Sequence, residues 1–156
     1  LPIRHLTRYT LANQTVLDRI PESDLLDMLR GYGYQPYVVA GDEPAAVHEL
    51  LAATFDRALD EIAEIQRQAR SGATVTRPRW PMIGLRTPKG WTGPSEVDGK
   101  QVEGTYRAHQ VPLSQVPTNP AHRAELERWL RSYRPEELFD ATGAPVAELA
   151  ALPPTG

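Results

Sequence analysis

The chain has no cysteine. That absence excludes a disulfide framework, a thiolate-bound zinc site and a cysteine nucleophile together. It also argues against a small secreted domain. Lysine is almost missing: of 17 basic residues, only Lys89 and Lys100 are lysines and the rest are arginines. Such a bias reads first as base composition of the genome, but it makes each lysine worth locating. Positive charge is not in excess. The net charge is −3 and the pI about 5.8, so nothing draws a polyanion and general nucleic-acid binding is disfavoured. No run of eighteen apolar residues occurs, so the sequence predicts no transmembrane helix. The four histidines have no metal-site spacing, and the Walker pattern around Lys89 is missing. Internal repeats and low-complexity tracts are absent as well.

What remains is ordinary in bulk. The 156 residues are 40% apolar and 24% charged, enough for one domain with a real core. Fifteen prolines are about twice the average usage of roughly 5%. The opening Leu1 to Leu6 has the period of a short strand, with none of the marks of a signal peptide. Asn13 to Pro21 reads as irregular or a short helical turn. Ser23-Asp24 predicts the cap of a short helix with Leu25, Leu26 and Leu29 on one face, ended by Gly31. Gln35 to Ala40 is a strand candidate, stopped by Gly41.

Asp42 then predicts the cap of a long helix to about Arg70, with Pro44 in its first turn. Val47, Leu50, Leu51, Thr54, Phe55, Leu59, Ile62 and Ile65 recur at helical steps and predict one apolar face. Asp56, Asp60, Glu61 and Glu64 lie mainly opposite, as a solvated face would. After Ser71-Gly72, the run Met82-Ile83-Gly84-Leu85-Arg86 suits a buried parallel strand. Thr87 to Val111 shows little periodicity and predicts one long loop, held in order by Trp91 and Tyr106. Pro120 opens a further helix to about Arg131, with Leu126, Trp129 and Leu130 inward, and a shorter element follows near Pro135 to Phe139.

Strands separated by helices predict an α/β fold with a parallel sheet. Ligands of such sheets bind beyond the carboxyl ends of the strands. The strand ending at Arg86 delivers the chain straight into Thr87-Pro88-Lys89-Gly90-Trp91-Thr92-Gly93-Pro94. Lys89 is therefore a candidate anion ligand, weighed against a solvated loop lysine. His109, at the far end of that segment, is a candidate proton carrier, weighed against a surface histidine. His5 follows the opening strand residues, His48 is expected to be packed and hydrogen-bonded on the long helix, and His122 is expected to face solvent. Arg77, Arg79 and Trp80 could form an anion or cation–π cluster, with edge packing the equal alternative.

Five stretches resemble the phosphoketolases: Leu29-Arg30-Gly31-Tyr32-Gly33-Tyr34, Arg77 to Ile83, Leu85 to Pro94, Arg107-Ala108-His109-Gln110-Val111-Pro112-Leu113, and Leu130 to Phe139. The Thr87 to Pro94 stretch is the most specific of them. The resemblance implies a parallel-sheet thiamine-diphosphate-binding fold. Residues 1–150 would be the C-terminal portion of its diphosphate-binding domain and 151–156 a linker, together an internal segment of a longer protein. It implies thiamine diphosphate and Mg2+ as cofactors. The implied reaction cleaves xylulose 5-phosphate or fructose 6-phosphate with inorganic phosphate, to acetyl phosphate, an aldose phosphate and water. It also implies a cytoplasmic homo-oligomer when full length.

Residue by residue, Lys89 and His109 match residues of that family's active site. Both are expected to be catalytic and to contact the cofactor. His5-Leu6-Thr7-Arg8-Tyr9 falls on a family stretch whose Asn side chain and Tyr carbonyl help hold magnesium, so Thr7 and Tyr9 are the expected metal ligands. Here Thr7 stands in place of the Asn and Arg8 in place of a Gly. The family's Gly-Asp-Gly metal motif and its pyrimidine-binding domain are not in these residues, so the chain alone is expected to be inactive. Two other readings stay open: a truncated, non-catalytic binding or interaction module of the same origin, and one half of a split enzyme.

Overall fold

The computed structural model describes residues 1–6, 15–72 and 76–152. The expected metal ligands Thr7 and Tyr9, and Arg8 between them, lie outside the described residues. The chain groups into two compact units, Leu1–Gln110 and Val111–Gly156.

The first unit is built on a parallel sheet. Strands β1 (Ile3–His5), β2 (Tyr34–Ala40) and β3 (Trp80–Arg86) lie in the order β1-β3-β2, and both pairings are parallel. Ile83 sits opposite Ile3 on one side and Tyr37 on the other. The apolar run of β3 thus fills the central position, as a strand buried on both faces should. Side chains alternate across it. Met82 joins Leu25 and Leu29 of helix α1 (Glu22–Gly31), while Ile83 joins Val39 and Val47 at the start of helix α2 (Pro44–Arg70). The helices therefore supply separate apolar clusters to alternate side chains of the central strand, which is the α/β layering expected.

Helix starts differ from the expected ones. Helix α1 begins at Glu22 after Pro21, with no side-chain cap, so Ser23 and Asp24 belong to its first turn. Acids in that turn and Arg30 in the last complement the helix dipole instead. Helix α2 is capped by Glu43, not Asp42. The extended backbone at Glu43 lets its carboxylate turn back to the N–H groups of Ala45 and Ala46, at 3.1 and 2.7 Å. Those bonds hold the Glu43 carboxyl below its usual range.

The apolar stripe of α2 is narrower than the periodicity suggests. Val47 and Ala58 are buried, but Leu59 is 54% exposed and Leu50 is exposed as well. Length gives the reason. Its 27 residues span roughly 40 Å at 1.5 Å per residue, whereas the seven-residue strands reach roughly 23 Å. The sheet cannot cover the whole helix. Asp56, Asp60 and Glu64 are exposed, as a solvated face should be. Glu61 is half-buried, accepting from the Tyr37 hydroxyl, with Arg57 stacked over the Tyr37 ring at 4.4 Å.

The segment after β3 is not one plain loop. It holds a hairpin of β4 (Glu96–Val97) and β5 (Lys100–Gln101), then a 3-10 turn at Tyr106–His109. Asp98 and Gly99 both have positive φ, at 52° and 70°, which is the two-residue turn that Asp-Gly favours.

In the second unit, helix α3 (Pro120–Ser132) is capped by Asn119, and helix α4 is Ala147–Ala150. Two expectations fail here. Leu130 is 52% exposed, and His122 is buried rather than solvent-facing. The His122 Nδ1 accepts the Gln115 N–H at 3.3 Å, so this ring completes the turn that leads into α3.

Candidate functional site

The carboxyl ends of the three strands open onto a cleft of about 1220 Å³, lined by Gly41, Asp42, Thr87, Lys89, Glu103 and Gly104 among others. This is where a parallel sheet presents ligands. The segment with the rare lysine does lie there.

Backbone bonds fix that segment. Leu6 N–H reaches Leu85 O at 2.7 Å and Gly41 N–H reaches Arg86 O at 3.1 Å, so the strand ends are tied to each other. Trp91 N–H closes a turn on Pro88 O at 3.1 Å, and Gly93 N–H closes the next on Gly90 O at 2.9 Å. The Trp91 ring packs against the Val39, Val47 and Ile83 cluster, and its Nε1 donates to Asp42 O at 2.8 Å. His48, which is exposed, sets its ring edge-on to Trp91 with centroids 5.9 Å apart. On the return arm, Gly104 N–H donates to Lys89 O at 2.8 Å. Thr105 caps the 3-10 turn that carries His109.

These ties bring Lys89 and His109 together across 20 residues, with Lys89 Nζ 3.2 Å from His109 Nδ1. An ammonium has donors only. While Lys89 is charged, Nδ1 must accept, and the ring proton of neutral His109 is confined to Nε2. Lys89 is half-buried, and burial holds its amine below the ordinary lysine value. His5 is the third group at this edge. Its Nε2 lies 2.7 Å from the hydroxyl of Thr87, which is buried. Burial, then the charge of Lys89, pushes the His5 pKa down. In the sequence the signal for His5 is its place at the end of a strand.

The rest of the cleft is acidic. Asp42, Glu43, Glu96 and Glu103 line it with Lys89, and Arg86 there is paired to Glu22 at 2.5 Å. Burial, then the Asp42 charge, pushes the Glu103 carboxyl up. Lys89 attracts an anion to this cleft, and its four carboxylates oppose one. Among the described residues, no group of three or more His, Asp or Glu side chains is placed to hold a metal ion. Nor is any helix there long and apolar enough to cross a membrane. Arg77 packs against the backbone just before β2. Its guanidinium lies over Gly33, 3.3 Å from where a Cβ would stand, and Trp80 is exposed at the amino end of the central strand.

Comparison with known proteins is unambiguous about ancestry. Residues 1–156 match the XFP N-terminal domain family. The chain is 66% identical over 154 residues to a probable phosphoketolase of Streptomyces coelicolor, covering 98% of this chain and 19% of that protein. It is 64% identical over 156 residues to one from Rhodopseudomonas palustris and 63% identical to one from Mycobacterium avium, covering all of this chain and 20% and 19% of theirs. The chain thus spans about a fifth of the length of these relatives.

Proposed function

The chain belongs to the phosphoketolase family, within its XFP N-terminal domain, and from that premise we propose that Lys89 and His109 serve the active site of a thiamine-diphosphate-dependent phosphoketolase. The substrates would be xylulose 5-phosphate or fructose 6-phosphate with inorganic phosphate. The products would be acetyl phosphate, an aldose phosphate and water. The rest of the site would come from other domains of the full-length enzyme and from a second copy in a homo-oligomer. The observation that carries the reading is the Lys89–His109 pair at the carboxyl edge of a parallel sheet.

The donors at this edge fit an anionic group. Lys89 is a compact cation in a glycine-rich segment, suited to a phosphate or to an oxyanion as charge develops. Thiamine diphosphate, bound with magnesium, would supply the electron sink for carbon–carbon cleavage. Thr7 and Tyr9 remain the proposed magnesium ligands, with other ligands supplied from beyond this chain. This chain's own residues would bind and move protons. Lys89 would hold the phosphate or oxyanion and keep His109 Nδ1 as an acceptor. The proton on His109 Nε2 would then be the one given to, or taken back from, the substrate oxygen.

The test uses the full-length protein and measures acetyl phosphate formed from either ketose phosphate. Lys89→Met and His109→Gln are each expected to lower kcat by about 100-fold or more. Wild-type turnover in either variant would overturn the role of that residue. A second reading draws on Thr7 and Arg8, which stand where the resemblance implies an Asn and a Gly. A full-length protein that forms no acetyl phosphate and takes up no magnesium would favour the non-catalytic interaction module.

A further inference from the structure

Beside the Lys89–His109 pair, the neighbouring residues approach closely as well. Gly90 follows Lys89, and Ala108 precedes His109. A Cβ placed on Gly90 would stand 2.5 Å from the Ala108 Cβ, closer than two carbons can come. Gly90 also has φ +73°, a backbone that a side chain would strain. The Gly104 N–H bond to Lys89 O, at 2.8 Å, ties the same two arms one turn away. The β4–β5 hairpin joins the arms farther out, and the contact next to both functional side chains has no spare room.

We propose that the Gly90–Ala108 contact is a positioning device. It sets the separation of Lys89 Nζ from His109 Nδ1 and so locks the His109 ring in the tautomer with its proton on Nε2. A methyl group at 90, or a larger side chain at 108, forces the 3-10 turn away from the lysine arm. The ring then loses its donor partner and samples both tautomers. Gly90 and Ala108 need not touch a substrate to do this. The catalytic consequence rests on the reading of Lys89 and His109 given above, but the tautomer itself does not depend on it.

The experiment is nitrogen-15 spectroscopy of the full-length protein carrying labelled histidine. The His109 signals are identified by their loss in His109→Gln, and the ring is observed where it is neutral. The parent should show two well-separated ring nitrogens, one protonated and one not. Lys89→Met removes the donor and should bring the two signals towards each other. Gly90→Ala should do the same with Lys89 still present. The double variant Gly90→Ala with Ala108→Gly should restore the parent spectrum. The strain at position 90 is equal in the single and double variants, so restoration isolates the methyl contact. If Gly90→Ala does not fold, Ala108→Val loads the same contact with no strain at 90. Retained separation in Gly90→Ala or in Ala108→Val, or a double variant that matches Gly90→Ala, would overturn the proposal. Acetyl phosphate formation is read separately: absent turnover in a parent with the locked tautomer defeats the functional reading and leaves this one standing.

Discussion

The indole Nε1 of Trp91 donates to the carbonyl of Asp42 at 2.8 Å, across 49 residues of chain. This bond fastens the lysine-bearing segment to the start of α2, while the ring itself packs on the Val39, Val47 and Ile83 cluster. The two contributions can be separated. Trp91→Phe keeps an aromatic ring on the cluster and deletes the N–H. It is expected to destabilise the protein by about 1 kcal/mol, the usual net value of one hydrogen bond. The urea midpoint should fall with the slope of the transition unchanged. An unchanged midpoint would mean that ring packing alone anchors the segment.

Asp42 also bears on Glu103. The Glu103 carboxyl is raised above its ordinary 4.5, first by burial and then by the charge of Asp42. Between 4.5 and the raised value, the folded protein keeps a proton that the unfolded chain has lost. The unfolded state binds fewer protons there, so stability falls as pH rises through that window and stays lower above it. Glu103→Gln removes this penalty. The variant is expected to be more stable than the parent near about pH 7, with the advantage shrinking towards about pH 4. Asp42→Asn should act in the same direction with a smaller effect. Denaturation at both pH values checks it, and a variant less stable than the parent at the higher pH would refute it.

The strands and the long helix were legible because their signals are dense. The apolar run Met82 to Leu85 suits a buried parallel strand, and Val47, Leu51, Phe55 and Ile62 mark a helix face by spacing alone. The caps were not legible to the residue. Asp42 and Glu43 are adjacent acids, and only the backbone angle at Glu43 decides which one turns back to the helix. The hairpin was legible and missed: Asp98-Gly99 between two short polar strands is its signal, but the strands lack the apolar alternation that usually marks one. Lys89 could be placed at the ligand end from topology. Its contact with His109 could not, since it depends on Gly104, Thr105 and the close approach of Gly90 to Ala108. Periodicity sees none of these.

His122 shows the same limit in the second unit. A histidine in the first turn of a helix reads as solvent-facing, yet this one is 5% exposed, with Nδ1 accepting the Gln115 N–H. That bond closes the chain between Gln115 and Asn119, where Asn119 N–H in turn reaches Gln115 O at 2.7 Å. His122→Ala removes both the acceptor and the packed ring, and is expected to cost about 1–3 kcal/mol. His122→Asn offers a side-chain oxygen in nearly the same place and should recover part of that loss. His122→Leu fills the space but accepts nothing, and should recover less than Asn if the hydrogen bond matters more than the volume. Denaturation of the three variants, with hydrogen exchange at the Gln115 amide, distinguishes the two. Faster exchange at that amide in the Ala and Leu variants, with protection restored by Asn, is the expected pattern. Equal protection in all three would mean that His122 acts there through packing alone.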